Sequence, residues 1–103
     1  MRLGLVITDH RYAAAARGLL QAALLRHWEC RCFLTDTGVL LLVEPEFMQS
    51  PGVIASTVAV CELSIERYED YGLHVNQVDA RVIVGGQYQN AELVKNSDRV
   101  LVL

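Results

Sequence analysis

The sequence has no run of lysine or arginine, no apolar stretch long enough to cross a bilayer, and no even complement of cysteines. Each lack closes off a class of function. Binding to a phosphate backbone draws on clustered cations that displace counterions. Here 9 Lys and Arg are scattered among 12 Asp and Glu, for a formal net charge of -3, so nucleic acid is not an expected partner. A membrane-spanning helix needs about 20 consecutive apolar residues, and no run approaches that. The opening "MRLGLVITDH" turns polar too soon for a signal peptide. The reading is therefore a cytoplasmic chain with no membrane partner. Three cysteines cannot complete a disulfide framework, and in a reducing compartment they should be free thiols. Neither G-x-G-x-x-G nor G-x-x-x-x-G-K-[ST] occurs, so nucleotide binding has little support and no cofactor is expected.

What the sequence does have is apolar material. Hydrophobic residues make up 52% and charged residues 20%, which excludes disorder and suffices for a layered core. The length of 103 residues fits one domain, 1–103, burying roughly 60 to 70% of its unfolded surface. "LGLVIT" (residues 3–8) is short and continuously apolar, as a parallel strand covered on both faces would be. "YAAAARGLLQAALLRH" (12–27) is rich in helix formers, with an apolar stripe at Ala15, Ala16, Leu19, Leu20 and Ala23, and Gly18 suggests close packing on the sheet. "ECRCFLT" (29–35) is a second strand, turned by "DTG". Residues 39–57 predict an irregular crossover, in which Pro45 could open a helical turn and Pro51-Gly52 interrupts what precedes it. "TVAVC" is a third strand. Ser64 is the expected N-cap of the helix that follows, and Gly72 its stop. "RVIV" (81–84) is a fourth strand, "GGQYQNAELVK" leads into a helix, and "RVLVL" is a fifth strand. Alternating strands and helices predict an α/β fold: a parallel sheet flanked by helices, with right-handed crossovers.

In such a sheet functional groups gather at the carboxyl ends of the strands. The segments expected there are Thr8-Asp9-His10, Thr35-Asp36-Thr37, Cys61-Glu62 and Gly85-Gly86-Gln87-Tyr88. Cys61 stands at a strand-to-helix join, where unpaired amides and the helix dipole stabilise a thiolate or a persulfide anion, although a free cysteine also serves as a small apolar filler. His10 follows the first strand, and its imidazole makes it a candidate acid or base. Asp9, Asp36, Glu62, Ser64, Gly85, Gly86, Gln87 and Tyr88 are candidate binding residues around these ends. Cys30 and Cys32 share one face of a strand, where a disulfide between them would be strained and a closed zinc site would lack ligands, so no metal site is expected. Tyr68, Tyr71 and Tyr88 could line a pocket or an interface.

Three segments, "FLTDTGV", "VAVCELSIERYEDYGL" and "VGGQYQNAELVKNSDRVLVL", resemble in order and spacing those of the DsrE/DsrF/TusD-like sulfur-relay family. The matching positions are Phe33 with Gly38-Val39, Val60-Cys61 with Gly72-Leu73, and Gly86 through Ala91-Glu92 to Ser97-Asp98-Arg99-Val100. The resemblance implies a DsrE-like sandwich that assembles as a trimer or hexamer. It also implies a sulfurtransferase or sulfur carrier in which Cys61 receives sulfur as a persulfide from a small sulfur-donor protein. Two features depart from the family pattern: a short segment between the second and third strands, and a bulkier, more acidic helix after Cys61. The alternative is a non-catalytic homo-oligomeric binding module of the same fold that holds a small anion or a partner protein. A flavodoxin-like nucleotide binder and a phosphotransfer receiver are weaker readings, since the third strand ends in cysteine where a receiver needs aspartate.

Overall fold

The computed structural model describes all 103 residues. Its short apolar runs pair into one sheet of five parallel strands: β1 (Arg2–Ile7), β2 (Glu29–Leu34), β3 (Thr57–Cys61), β4 (Ile83–Gly85) and β5 (Arg99–Val102), in the order β4-β3-β2-β1-β5. The fold is α/β, as the alternation in the sequence predicts. β1 is buried along its length after Arg2, because it lies inside the sheet with helices on both faces. No helix is long and apolar enough to cross a membrane.

Handedness decides where the helices lie. The connections from β1 to β2, β2 to β3 and β3 to β4 all step the same way across the sheet, so right-handed crossovers place them on one face. That face carries α1 (Ala13–Leu25), α2 (Pro45–Met48), α3 (Pro51–Ala55) and α4 (Glu62–Arg67). Their side chains join Leu5, Ile7, Leu34 and Val60 of the strands in a core of 19 buried residues that includes Leu20, Phe47, Val53 and Ile65. The connection from β4 to β5 runs back the other way and crosses the opposite face as α5 (Gln87–Asn96). Only Val6, Phe33, Ala59, Cys61 and Leu93 are buried together there. One face is deeply packed and the other is thin.

Several expectations are corrected in detail. β1 ends at Ile7, and a 3-10 turn over His10–Tyr12, capped by the Asp9 carboxylate accepting from the Arg11 N–H at 2.9 Å, precedes α1. The stripe of α1 is narrower than expected: Ala16, Leu20 and Ala23 are buried, whereas Ala15 is exposed. Gly18 is also exposed, with nothing near its Cβ position, so it packs on nothing. Close approach is made instead by Gly52 of α3, whose Cβ would stand 2.7 Å from the Leu20 backbone of α1. The crossover over 39–57 is helical rather than irregular. A 3-10 run over Asp36–Val43 leads into α2 and α3, each opened by a proline at its first turn, where no N–H is missed. β3 passes into α4 with no intervening loop, so the N-cap is Cys61 and Ser64 lies one turn inside the helix. Gly72 does end the segment, at φ 86°, as the C-cap of a 3-10 turn over Glu69–Tyr71. The fourth strand is only Ile83–Gly85, because Arg81 is held in a turn by Asp79.

β5 closes the sheet against β1. The Arg2 N–H donates to Asp98 at 2.7 Å, and the Thr8 hydroxyl donates to the Leu103 carbonyl at 2.7 Å, so the two ends of the chain are stitched side by side.

Gly38 and Gly18 make opposite predictions. A Cβ on Gly38 would meet the Ile7 carbonyl oxygen at 2.1 Å, a backbone atom that cannot step aside. Gly38→Ala should lower stability by ~2–3 kcal/mol, whereas Gly18→Ala, in an open helix interior, should raise it by ~0.5–1 kcal/mol. Urea unfolding midpoints of the two variants check both signs.

Candidate functional site

β3 and β4 are neighbours whose chains leave the sheet toward opposite faces, β3 through α4 and β4 through α5. Where two such exits part, an open α/β sheet leaves a crevice at its carboxyl edge. The register sets Cys61 beside Gly85 at that point. The resulting crevice, about 490 Å³ in volume, is lined by Cys61, Glu62, Leu63, Glu66, Gly85, Gly86 and Gln87. A second indentation, about 40 Å³, lies under α5 among Arg31, Cys32, Thr57, Ala59 and Gln89; it too borders a cysteine, but one whose thiol burial holds protonated.

Cys61 is only 8% exposed. As N-cap of α4 it stands where a side chain meets the second and third amides of a helix, here those of Leu63 and Ser64. Burial pushes its thiol pKa up. The Ser64 hydroxyl and amide, then the Thr35 hydroxyl and the Leu63 amide, outweigh that and hold it below the ordinary 9.0. None of these donors forms a fully closed hydrogen bond to the sulfur, so their effect is that of a locally positive wall. The other two thiols go the opposite way: burial drives Cys32 up to about 12 against a contact with Ser56, and burial followed by the Glu29 charge raises Cys30. Both pack in the large core, as free thiols. No cluster of three or more His, Cys, Asp or Glu side chains exists to hold a metal ion.

Ser64 is the one buried polar residue of the chain, at 3% exposure. Its oxygen accepts the Asp36 N–H at 2.9 Å and lies 3.4 Å from the Thr35 hydroxyl. With a lone pair so occupied, its own proton is free for Thr35 or for the sulfur. Asp36 holds the left-handed conformation at φ 49°, which aspartate adopts more readily than most residues. Its carboxylate accepts the Tyr68 hydroxyl at 2.8 Å, which raises the Tyr68 pKa, and faces Arg67 at 3.6 Å. Asp36 thus clips α4 to the end of β2 and does not line the crevice.

The structure brings together Cys61, Glu62, Gly85, Gly86 and Gln87, with Ser64 behind the sulfur. It leaves the others apart. Asp9 and His10 follow β1, with β2 standing between them and β3. Asp9 is held at about 2 by hydrogen bonds from Arg11. The His10 amide donates to Thr37 at 3.3 Å, and its Nδ1 is buried without a partner, 4.0 Å from Asp9. Tyr88 is 71% exposed and outside the crevice lining. Sequence reasoning placed Thr35 at the carboxyl edge without giving it a role, and did not single out Leu63 and Glu66 as site residues. Glu66 was within reach, since it lies four residues, one helical turn, beyond Glu62.

The environment of Cys61 sets a testable titration. Its alkylation rate against pH should have a midpoint below 9.0, with Cys32 unreactive in the native protein. Ser64→Ala should move the midpoint upward and slow alkylation near neutrality by roughly 3- to 10-fold while the high-pH plateau stays unchanged. A midpoint at or above 9.0, or one that Ser64→Ala leaves in place, would refute this account of the thiol.

No protein-family model matches the sequence, and no curated protein matches it either. By structure the chain is similar to the ychN protein from E. coli, over 100% of both chains, with a TM-score of 0.75 and 12% sequence identity. At that identity the likeness is one of fold, and it agrees with the α/β architecture of a parallel sheet flanked by helices that the alternation in the sequence predicts.

Proposed function

We propose that the chain is a small sulfur carrier or sulfurtransferase that holds a sulfane sulfur as a persulfide on Cys61. One observation carries this reading: of three thiols, the one that lines the carboxyl-edge crevice is the one whose pKa is lowered. The Cys61 thiolate attacks the outer sulfur of a donor persulfide, R–S–SH. The donor S–S bond breaks, its electron pair leaves with the inner sulfur as R–S⁻, and Cys61 becomes the persulfide. A proton taken from solvent completes the donor thiol. The sulfane sulfur moves without net oxidation or reduction, so the thiolate needs no cofactor. A persulfide is more acidic than a thiol, and as an anion it would rest against the Leu63 and Ser64 amides. Return of the sulfur to an acceptor nucleophile reverses the same exchange.

The proposal includes a small sulfur-donor protein as partner, a cytoplasmic setting that keeps the thiol reduced, and assembly as a homo-oligomer, a trimer or hexamer. Apolar residues at the surface support assembly: Val102 of the edge strand β5 is 66% exposed, and Val94 of α5 is 54% exposed. The same residues favour the second reading, a homo-oligomeric module that binds a partner without turnover.

Incubation with a persulfide donor should add the mass of one sulfur atom to Cys61 and not to Cys30 or Cys32, read by mass spectrometry of peptides. Absence of that adduct on Cys61 would count against the carrier. A Cys61→Ser chain that retains full partner binding and biological activity would favour the binding module.

A further inference from the structure

The charge lining the crevice bears on which donor can use it, an inference that rests on Cys61 as the sulfur acceptor. Two carboxylates, Glu62 and Glu66, line the crevice with Cys61, and no cation does. Neither carboxylate is in a salt bridge or side-chain hydrogen bond. The nearest cation of α4, Arg67, is turned away to Asp36, 3.6 Å from its carboxylate. Downstream, the 3-10 turn over Glu69–Tyr71 adds Glu69 and Asp70, both exposed. The remaining wall, Gly85, Gly86 and Gln87, is uncharged. Beside these carboxylates sits a thiol that is more than nine-tenths buried and closes no hydrogen bond, so a donor reaching it through the crevice comes within the field of both.

Free sulfane-sulfur donors such as thiosulfate, hydropolysulfides and ionised low-molecular-mass persulfides are anions at neutral pH. Two uncompensated carboxylates within a Debye length repel each of them. A persulfide borne by a polypeptide with lysine or arginine beside its cysteine meets the same carboxylates as attraction. Leu63, 70% exposed on the same rim, offers such a polypeptide an apolar contact that a small ion cannot use. We propose that Glu62 and Glu66 are specificity-determining residues. They reject small anionic sulfur donors and admit a sulfane sulfur carried on a protein whose donor cysteine is flanked by basic side chains.

The test uses the full chain and two alkylating probes of similar size, neutral iodoacetamide and anionic iodoacetate, with modification of Cys61 followed by mass spectrometry. Taking the ratio of the two rates cancels any change in the thiolate fraction. The iodoacetamide-to-iodoacetate ratio should exceed that of a free cysteine peptide by about 3- to 10-fold at low salt and fall toward it as salt rises. Glu62→Gln with Glu66→Gln, both at exposed positions, should abolish the excess, and the corresponding lysine variants should invert it. A persulfidated peptide with basic flanks should load Cys61 faster than the same peptide with acidic flanks, by a factor that the double Gln variant removes. A ratio equal to the free peptide's and unmoved by the variants would overturn the filter while leaving the persulfide on Cys61 standing. Charge discrimination with no persulfide formed from either peptide would overturn the carrier reading and the donor class with it, leaving only an electrostatic screen.

Discussion

The fixed hand of the crossover connection is the constraint on which the rest depends. A right-handed step from strand to parallel strand forces connections that advance across the sheet onto one face and a connection that turns back onto the other. In the order β4-β3-β2-β1-β5 the reversal falls after β4, so the exits of β3 and β4 diverge. The crevice is the gap left by that divergence. Register then places Cys61 opposite a residue with no side chain, Gly85. The site therefore follows from topology and pairing, and the side chains around it decide only what it does with the space.

What they do is hold two opposing influences apart. Behind the sulfur are hydroxyls and amides, from Ser64, Thr35 and Leu63, which favour negative charge on it. In front are carboxylates, which disfavour the approach of negative charge from outside. The first set acts on the reacting atom and the second on what arrives. The separation depends on the Asp36 clip: the Asp36 N–H engages Ser64 from the sheet side while its carboxylate draws Arg67 and Tyr68 to that same side.

Much of this was legible in the sequence, and the part that was not has a common physical cause. Short apolar runs bounded by turn residues gave the strands, and alternation with helices gave the class. Cys61 at the strand-to-helix join was visible because both elements are local patterns. The start of α4 was misplaced because Ser64 is a good N-cap in isolation, whereas β3 runs into the helix without a loop and buries Ser64 against the end of β2. The pairing of Cys61 with Gly85, the separation of His10 from Cys61 and the place of α5 are set by strand order, which no local pattern records. Gly18 and Gly52 show the same limit: both interrupt apolar sequence, but only contact between α1 and α3 tells which one lies at a close approach.

The stitching of β5 to β1 bears on how the molecule comes into being. The contacts from Arg2 to Asp98 and from Thr8 to Leu103 span 96 and 95 residues of chain, so β1 keeps one flank open until Arg99–Val102 has been synthesised. During translation the first four strands can pair and the main core can collapse, while Gly4, Val6 and the unsatisfied edge of β1 wait for a partner. Nascent chains held at that stage are exposed to strand exchange with one another, a hazard that ends only when β5 docks.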